Sequence, residues 1–203
     1  MISHEHKCIF IHIPGCAGSS IERAIVGRDW QKIDYPTKHI LASTAKEIYS
    51  EYWADYFKFS LVRNPWDRLK SLARFPVFYG CRIKDDEISV SEYLKKFPKI
   101  EIDCRSKSFG LKVDKIIPNS VYLNTLNEEL DFIGKFENLQ EDFNFICDET
   151  GISRQQLSHT QTSARYFKKK PRPYTEYYND KTRRLVAKRF AKDIEYFSYK
   201  FGA

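Results

Sequence analysis

No apolar run in this sequence approaches the roughly 18–20 residues that a membrane-spanning helix needs. The opening residues, Met1-Ile2-Ser3-His4-Glu5-His6-Lys7, lack the basic-then-apolar order of a secretory leader. The 5 cysteines (Cys8, Cys16, Cys81, Cys104, Cys147) are odd in number, and no two are separated by two residues. That excludes a zinc ribbon, a CxxC redox motif and a disulfide framework. Mostly reduced thiols are expected, as in a cytoplasmic, bacterial-type protein, with a single bridge left open; a trimmed Golgi lumenal domain would read the same way. Glycine and proline, 8 of each, are scattered, and there is no repeat, low-complexity tract or interdomain linker. A single domain over residues 1–203 is the expectation.

What is present suits a globular chain with a proper core: 203 residues, 42% hydrophobic and 30% charged. The net charge of +7 is unevenly placed. Residues 152–203 hold 13 basic and 4 acidic side chains, whereas the preceding part holds 21 and 23. A basic C-terminal quarter points to an anionic ligand such as a nucleotide, sulfate, phosphate, acidic glycan or nucleic acid, or to a solvated helix face.

The run Lys7-Cys8-Ile9-Phe10-Ile11-His12-Ile13 reads as a buried central strand ending at Pro14. Small residues follow, Gly15-Cys16-Ala17-Gly18-Ser19-Ser20, and then Ile21 to Val26 at helical spacing, stopped by Gly27. Thr44-Ala45-Lys46-Glu47 has the form of a capping box, which predicts a helix from there to about Tyr56. Phe57 to Val62 reads as a second buried strand, with Asn64 as cap and Pro65 in the first turn of a helix running to Phe75. Further helices are expected over Val90–Phe97, Leu139–Thr150 and, as one long element, Asp180–Phe197, with a third strand over Asp131–Phe136. The frayed N-terminus would carry His4 and His6. Alternating strands and helices predict an α/β fold: a P-loop-like three-layer domain with a mainly parallel central sheet flanked by helices. Ligands bind beyond the carboxyl ends of such strands, where both Pro14–Ser20 and Arg63–Pro65 fall.

The first turn has the makings of an anion site. Gly15, Ala17 and Gly18 let a ligand approach the backbone, and the helix-start amides and the Ser19 and Ser20 hydroxyls favour an oxyanion. It fails the Walker A pattern, because Ser19 follows Gly18 where that pattern needs lysine. A plain tight turn is the competing reading. In the second segment Arg63 can grip a phosphate through paired hydrogen bonds, with the Ser71 hydroxyl adding another. An Arg63–Asp67 surface pair is the alternative there.

Together these segments resemble a family. Phe10-Ile11-His12-Ile13-Pro14 with a Gly18-Ser19-Ser20 turn, and then Val62-Arg63-Asn64-Pro65-Trp66-Asp67-Arg68-Leu69-Lys70-Ser71, look like the cytosolic and Golgi carbohydrate sulfotransferases. Ile133-Gly134-Lys135-Phe136-Glu137-Asn138-Leu139, Tyr177-Tyr178-Asn179-Asp180 and the closing Asp193 to Phe201 extend the likeness over nearly the whole chain. The resemblance implies a sulfotransferase using 3′-phosphoadenosine 5′-phosphosulfate (PAPS) as donor, a hydroxyl acceptor that is a glycan or sugar, and no metal. A nucleic-acid partner is not implied.

By the same resemblance, Gly15, Cys16, Ala17, Gly18, Ser19 and Ser20 would hold the 5′-phosphosulfate, and Arg63 and Ser71 the 3′-phosphate. Arg165 and Tyr166, in Ser163 to Lys168, would close over the nucleotide. His39, in Thr37-Lys38-His39-Ile40, matches the position where related enzymes often carry a histidine, and would be the catalytic base. One residue departs from the family: a lysine usually follows the proline, and here the position is Gly15. That lysine would neutralise charge developing on the leaving phosphate oxygen. Arg23, Arg165 or Lys168 could reach in instead, or the chain could be a slow enzyme or a nucleotide-binding module. A kinase is disfavoured by the missing Walker lysine. A nucleophilic role for Cys16 lacks a convincing histidine and acid partner.

Overall fold

In the computed structural model, which describes residues 1–98, 100–101, 115–157 and 172–203, the chain divides into two compact units. The first holds 1–62, 115 and 125–157 of the described residues; the second holds 63–98, 100–101, 116–124 and 172–203.

The first unit is built on a four-stranded sheet in the order β1 (Ile2–Ser3), β2 (Cys8–Ile11), β3 (Phe57–Val62) and β6 (Phe132–Lys135). β2 is buried at every residue, as expected for an apolar run with neighbours on both sides. It pairs in parallel with β3, Phe10 opposite Phe59, and β3 pairs in parallel with β6, Leu61 opposite Gly134. The sheet is therefore mainly parallel and flanked by helices, the α/β class the sequence predicts. Parallel pairing sets the carboxyl ends of β2 and β3 side by side. The first residues are not frayed: Ile2 pairs antiparallel with Ile9, and His4 Nδ1 lies 3.0 Å from the Tyr56 hydroxyl.

The helix after β2, α1 (Gly18–Val26), buries Ile21 and Ile25 and ends at Gly27, whose φ of 75° is the left-handed closure glycine favours. The expected capping box does not form. α2 (Ala42–Ile48) starts three residues earlier, with Thr44 and Ala45 buried inside it. Asn127 takes the capping role from outside, accepting from Ser43 N at 3.0 Å and donating to Ser43 Oγ at 2.9 Å. The chain bends at Tyr49 into the short α3 (Ser50–Trp53). α8 (Leu139–Thr150) spans the predicted residues, burying Phe143, Ile146 and Cys147.

In the second unit α4 (Pro65–Leu72) starts as predicted, with the Asn64 side chain accepting from Trp66 N at 3.3 Å, and stops three residues short of Phe75. α5 (Pro76–Tyr79), a hairpin of β4 (Arg82–Lys84) and β5 (Glu87–Ser89), and α6 (Ser91–Lys96) follow, with all but the last residue of α7 (Tyr122–Thr125). The hairpin turn places Asp85 and Asp86 at φ of 49° and 64°, the pattern of a two-residue primed turn made without glycine. The long C-terminal helix is two helices, α9 (Asp180–Arg189) and α10 (Ala191–Phe197). The break comes at Phe190 because Lys192 N donates to Asn119 O, and Asp193 turns inward to accept from Ser120 Oγ and the amides of Val121, Tyr122 and Leu123. The core of this unit encloses Arg68, fully buried and paired with Glu101.

Candidate active site

The segment leaving β2 is a turn before it is a helix. Cys16 N donates to Ile13 O at 3.3 Å, with Pro14 and Gly15 between them and Gly15 at φ 84°. Proline followed by a positive φ is the signature of a type II turn, whose third position glycine fills without strain. Ala17, at φ 63°, then caps α1 and offers no side-chain acceptor to the first-turn amides. Gly18, Ser19 and Ser20 thus begin a helix whose amides and dipole favour an anion.

Beneath the turn lies a buried ionic cluster. Glu22 is fully buried. Its Oε1 accepts from His12 Nδ1 at 2.6 Å, and its Oε2 from Trp30 N at 3.0 Å and Lys38 Nζ at 3.0 Å. Burial alone would raise the Glu22 carboxyl, but its interactions with His12, the Lys38 ammonium and the Trp30 amide outweigh it and hold the group well below the usual carboxylate range. An ionised Glu22 requires the proton of His12 to sit on Nδ1. Burial in turn lowers the His12 pKa, which keeps its imidazole neutral. Lys38, only 3% exposed, also pairs with Asp29 and donates to Ser19 Oγ at 3.2 Å. Burial pushes Asp29 up, yet Lys38, Gln31 N and Ser19 together bring it below its ordinary value.

His39 follows Lys38 and is half-buried, with its ring edge-on to His12 at a centroid distance of 4.5 Å. The predicted base therefore stands within the same unit as the turn, against a neutral imidazole that does not repel its protonated form. Of the cations expected to replace the turn lysine, Arg23 lies 3.8 Å from Asp29. Arg165 and Lys168, like Tyr166 and the rest of Ser163–Lys168, lie outside the described residues.

The second unit holds the other predicted group. Arg63 donates to Asp67 Oδ2 through Nε at 2.9 Å and Nη2 at 2.6 Å, so the ion pair offered as the alternative reading is formed. The Ser71 hydroxyl, buried, accepts from Arg74 Nη2 at 2.8 Å. Lys70 is buried between them in sequence; desolvation lowers its pKa, and the positive charges of Arg63 and Arg74 lower it further against the pull of Asp67. Arg63 and Arg74 thus both repel the Lys70 charge while Asp67 attracts it, a field that favours an added anion.

The sequence reading passed over Lys38, Lys70 and Arg74. Arg74 stands three residues after Ser71 on α4's exit, the spacing that brings side chains together on a helix. Nothing in the local pattern marks Lys38, whose partners are set by the tertiary fold. Among the described residues no group of three or more His, Cys, Asp and Glu side chains could hold a metal ion, and no helix is long and apolar enough to cross a membrane.

The sulfotransferase family matches residues 1–200, which is all but the last three positions. The chain belongs to the sulfotransferase family. No curated protein and no solved structure matches it. Membership places sulfuryl transfer as the activity class of this fold. Among the described residues, the turn after β2 and the cationic side chains near Ser71 have chemistry suited to an anion.

Proposed function

We propose that this sulfotransferase takes its sulfuryl group from PAPS and delivers it to a hydroxyl, the acceptor being a carbohydrate. The observation that carries the donor reading is the hold of Arg74 on the buried Ser71 hydroxyl, next in the chain to Lys70, whose charge Arg63 and Arg74 both repel. Such a group suits a phosphate that bears two charges and several acceptor oxygens, as the 3′-phosphate does. The turn from Gly15 to Ser20 is the matching proposal for the 5′ end, with first-turn amides and the Ser20 hydroxyl as donors.

When bound, the donor supplies a sulfuryl group whose transfer leaves adenosine 3′,5′-bisphosphate. The chain's own part is to fix both phosphates, exclude water and remove the acceptor proton. His39 is proposed to take that proton, and the neutral His12 beside it leaves the resulting imidazolium uncontested. Gly15 supports a second reading, in which donor binding persists and turnover is slow. Its φ of 84° suits glycine, so the cation usually found there is absent by backbone demand as well as by residue type.

Thermal-shift titration separates the readings, because a ligand stabilises the fold in proportion to its affinity. Adenosine 3′,5′-bisphosphate is expected to raise the melting temperature clearly, with 5′-AMP and ATP giving little and Arg63→Ala abolishing the response. An equal response to ATP would favour a kinase-like site. Sulfate transfer from PAPS to a sugar panel then divides enzyme from binder.

A further inference from the structure

We infer that Lys38 is a positioning residue of the anion turn, acting through Ser19. The inference rests on the donor reading above and adds a residue to it.

An ammonium has three N–H donors, and Lys38 spends them on three acceptors: Glu22 in the second turn of α1, Asp29 beyond its end, and Ser19 in its first turn. The side chain is 3% exposed, so water supplies no alternative partner for any of them. Two of those acceptors are carboxylates, and their charges offset the ammonium; Lys38 is therefore poorly placed to serve as a counter-ion for a leaving phosphate. Its remaining bond is the informative one. Ser19 Oγ accepts from Lys38 and also hydrogen-bonds Asp29, so this hydroxyl is committed to the interior of the unit rather than to a ligand. Ser19 lacks a capping side chain before it, since Ala17 is the N-cap, and the turn reaches it through two residues at positive φ. The tie to Lys38 thus fixes the first turn of α1 from below.

The test measures the affinity of the full chain for adenosine 3′,5′-bisphosphate by calorimetry, well below each variant's melting temperature. Lys38→Met alone would strand the buried Glu22 and half-buried Asp29 carboxylates, so the charge-balanced Lys38→Met/Asp29→Asn is made with it, alongside Ser19→Ala, which disturbs no charge. Ser19→Ala and the charge-balanced variant are each expected to weaken binding roughly tenfold, the scale of one charge-assisted hydrogen bond. Combined, they should weaken it no further, because both cut the same tie. Ser19→Thr, which keeps the hydroxyl, should bind as the parent does. Unchanged affinity in Ser19→Ala overturns the positioning role, even if the lysine variants fail to fold, and so do losses that multiply in the combined variant. If the unaltered chain takes up no bisphosphate, the donor reading itself fails and carries the positioning role down with it.

Discussion

The His12 imidazole occupies the space that a β-carbon on residue 18 would need: a methyl at Gly18 would come within 2.2 Å of His12 Nε2 and Cδ2. The ring cannot swing aside, because it is buried and its Nδ1 is held by Glu22 at 2.6 Å. Alanine in place of glycine usually strengthens a helix by up to about 1 kcal/mol. Here the sign should reverse. Gly18→Ala is expected to destabilise the protein by about 1–3 kcal/mol, the usual cost of overpacking. At this chain length each kcal/mol lowers the melting temperature by about 2–4 °C. A melting temperature equal to or above the parent's would show that His12 does not brace the turn.

Gly15 invites a paired comparison. Its φ of 84° disfavours any residue with a β-carbon, so Gly15→Ala and Gly15→Lys should lose similar stability, about 1–2 kcal/mol each. Only the lysine brings a cation to the turn. Sulfate transfer from PAPS should therefore rise in Gly15→Lys and not in Gly15→Ala, by up to an order of magnitude or more if the charge reaches the leaving oxygen. Equal rates in both variants would count against the missing cation as the reason for slow turnover.

Much of this was legible in the sequence where the cause is local. The strand into Pro14, the cap at Asn64 and the helix from Leu139 depend on residue type and short spacing, and they lie where that spacing puts them. The elements that went astray are those decided by distant partners. Thr44 lost the capping role because Asn127 reached Ser43 first, and the long C-terminal helix broke because Asp193 found four donors between Ser120 and Leu123. The hairpin turn at Asp85–Asp86 carries no glycine to announce it. Lys38 is the same lesson at the candidate site: an exposed-looking loop lysine in sequence, and a buried tie between three chain segments in the fold.

Acid should loosen the cluster beneath the turn. The folded pKa of His12 lies below its ordinary value, so the unfolded chain binds that proton first as pH falls. The contribution is fully present above the unfolded pKa of about 6.5 and drains away on acidification. Glu22, also lowered, adds a loss of the same sign further down, beginning near its unfolded pKa of about 4.3. Melting temperatures measured from pH 7.5 to 5.5 should fall in the parent and fall less in His12→Asn. Parallel curves for the two proteins would remove His12 from the account.

The cationic group around Ser71 predicts selectivity as well as affinity. Arg74 holds the Ser71 hydroxyl at 2.8 Å and adds its charge to the field felt by Lys70. If this group takes the 3′-phosphate, Arg74→Ala should weaken adenosine 3′,5′-bisphosphate roughly tenfold or more, since hydrogen bonds to charged groups are worth about 1.5–3 kcal/mol. Binding of 5′-AMP, which lacks that phosphate, should change little. Raising the salt should erode bisphosphate binding in the parent more than in the variant, because one fewer charge then contributes. The cation left behind at Lys70 should also become easier to protonate once Arg74 is gone, since one of the two charges repelling it has been removed. Equal losses for both nucleotides in Arg74→Ala would place the effect on the fold of α4 rather than on a phosphate, and the assignment of this group to the 3′ end would fall.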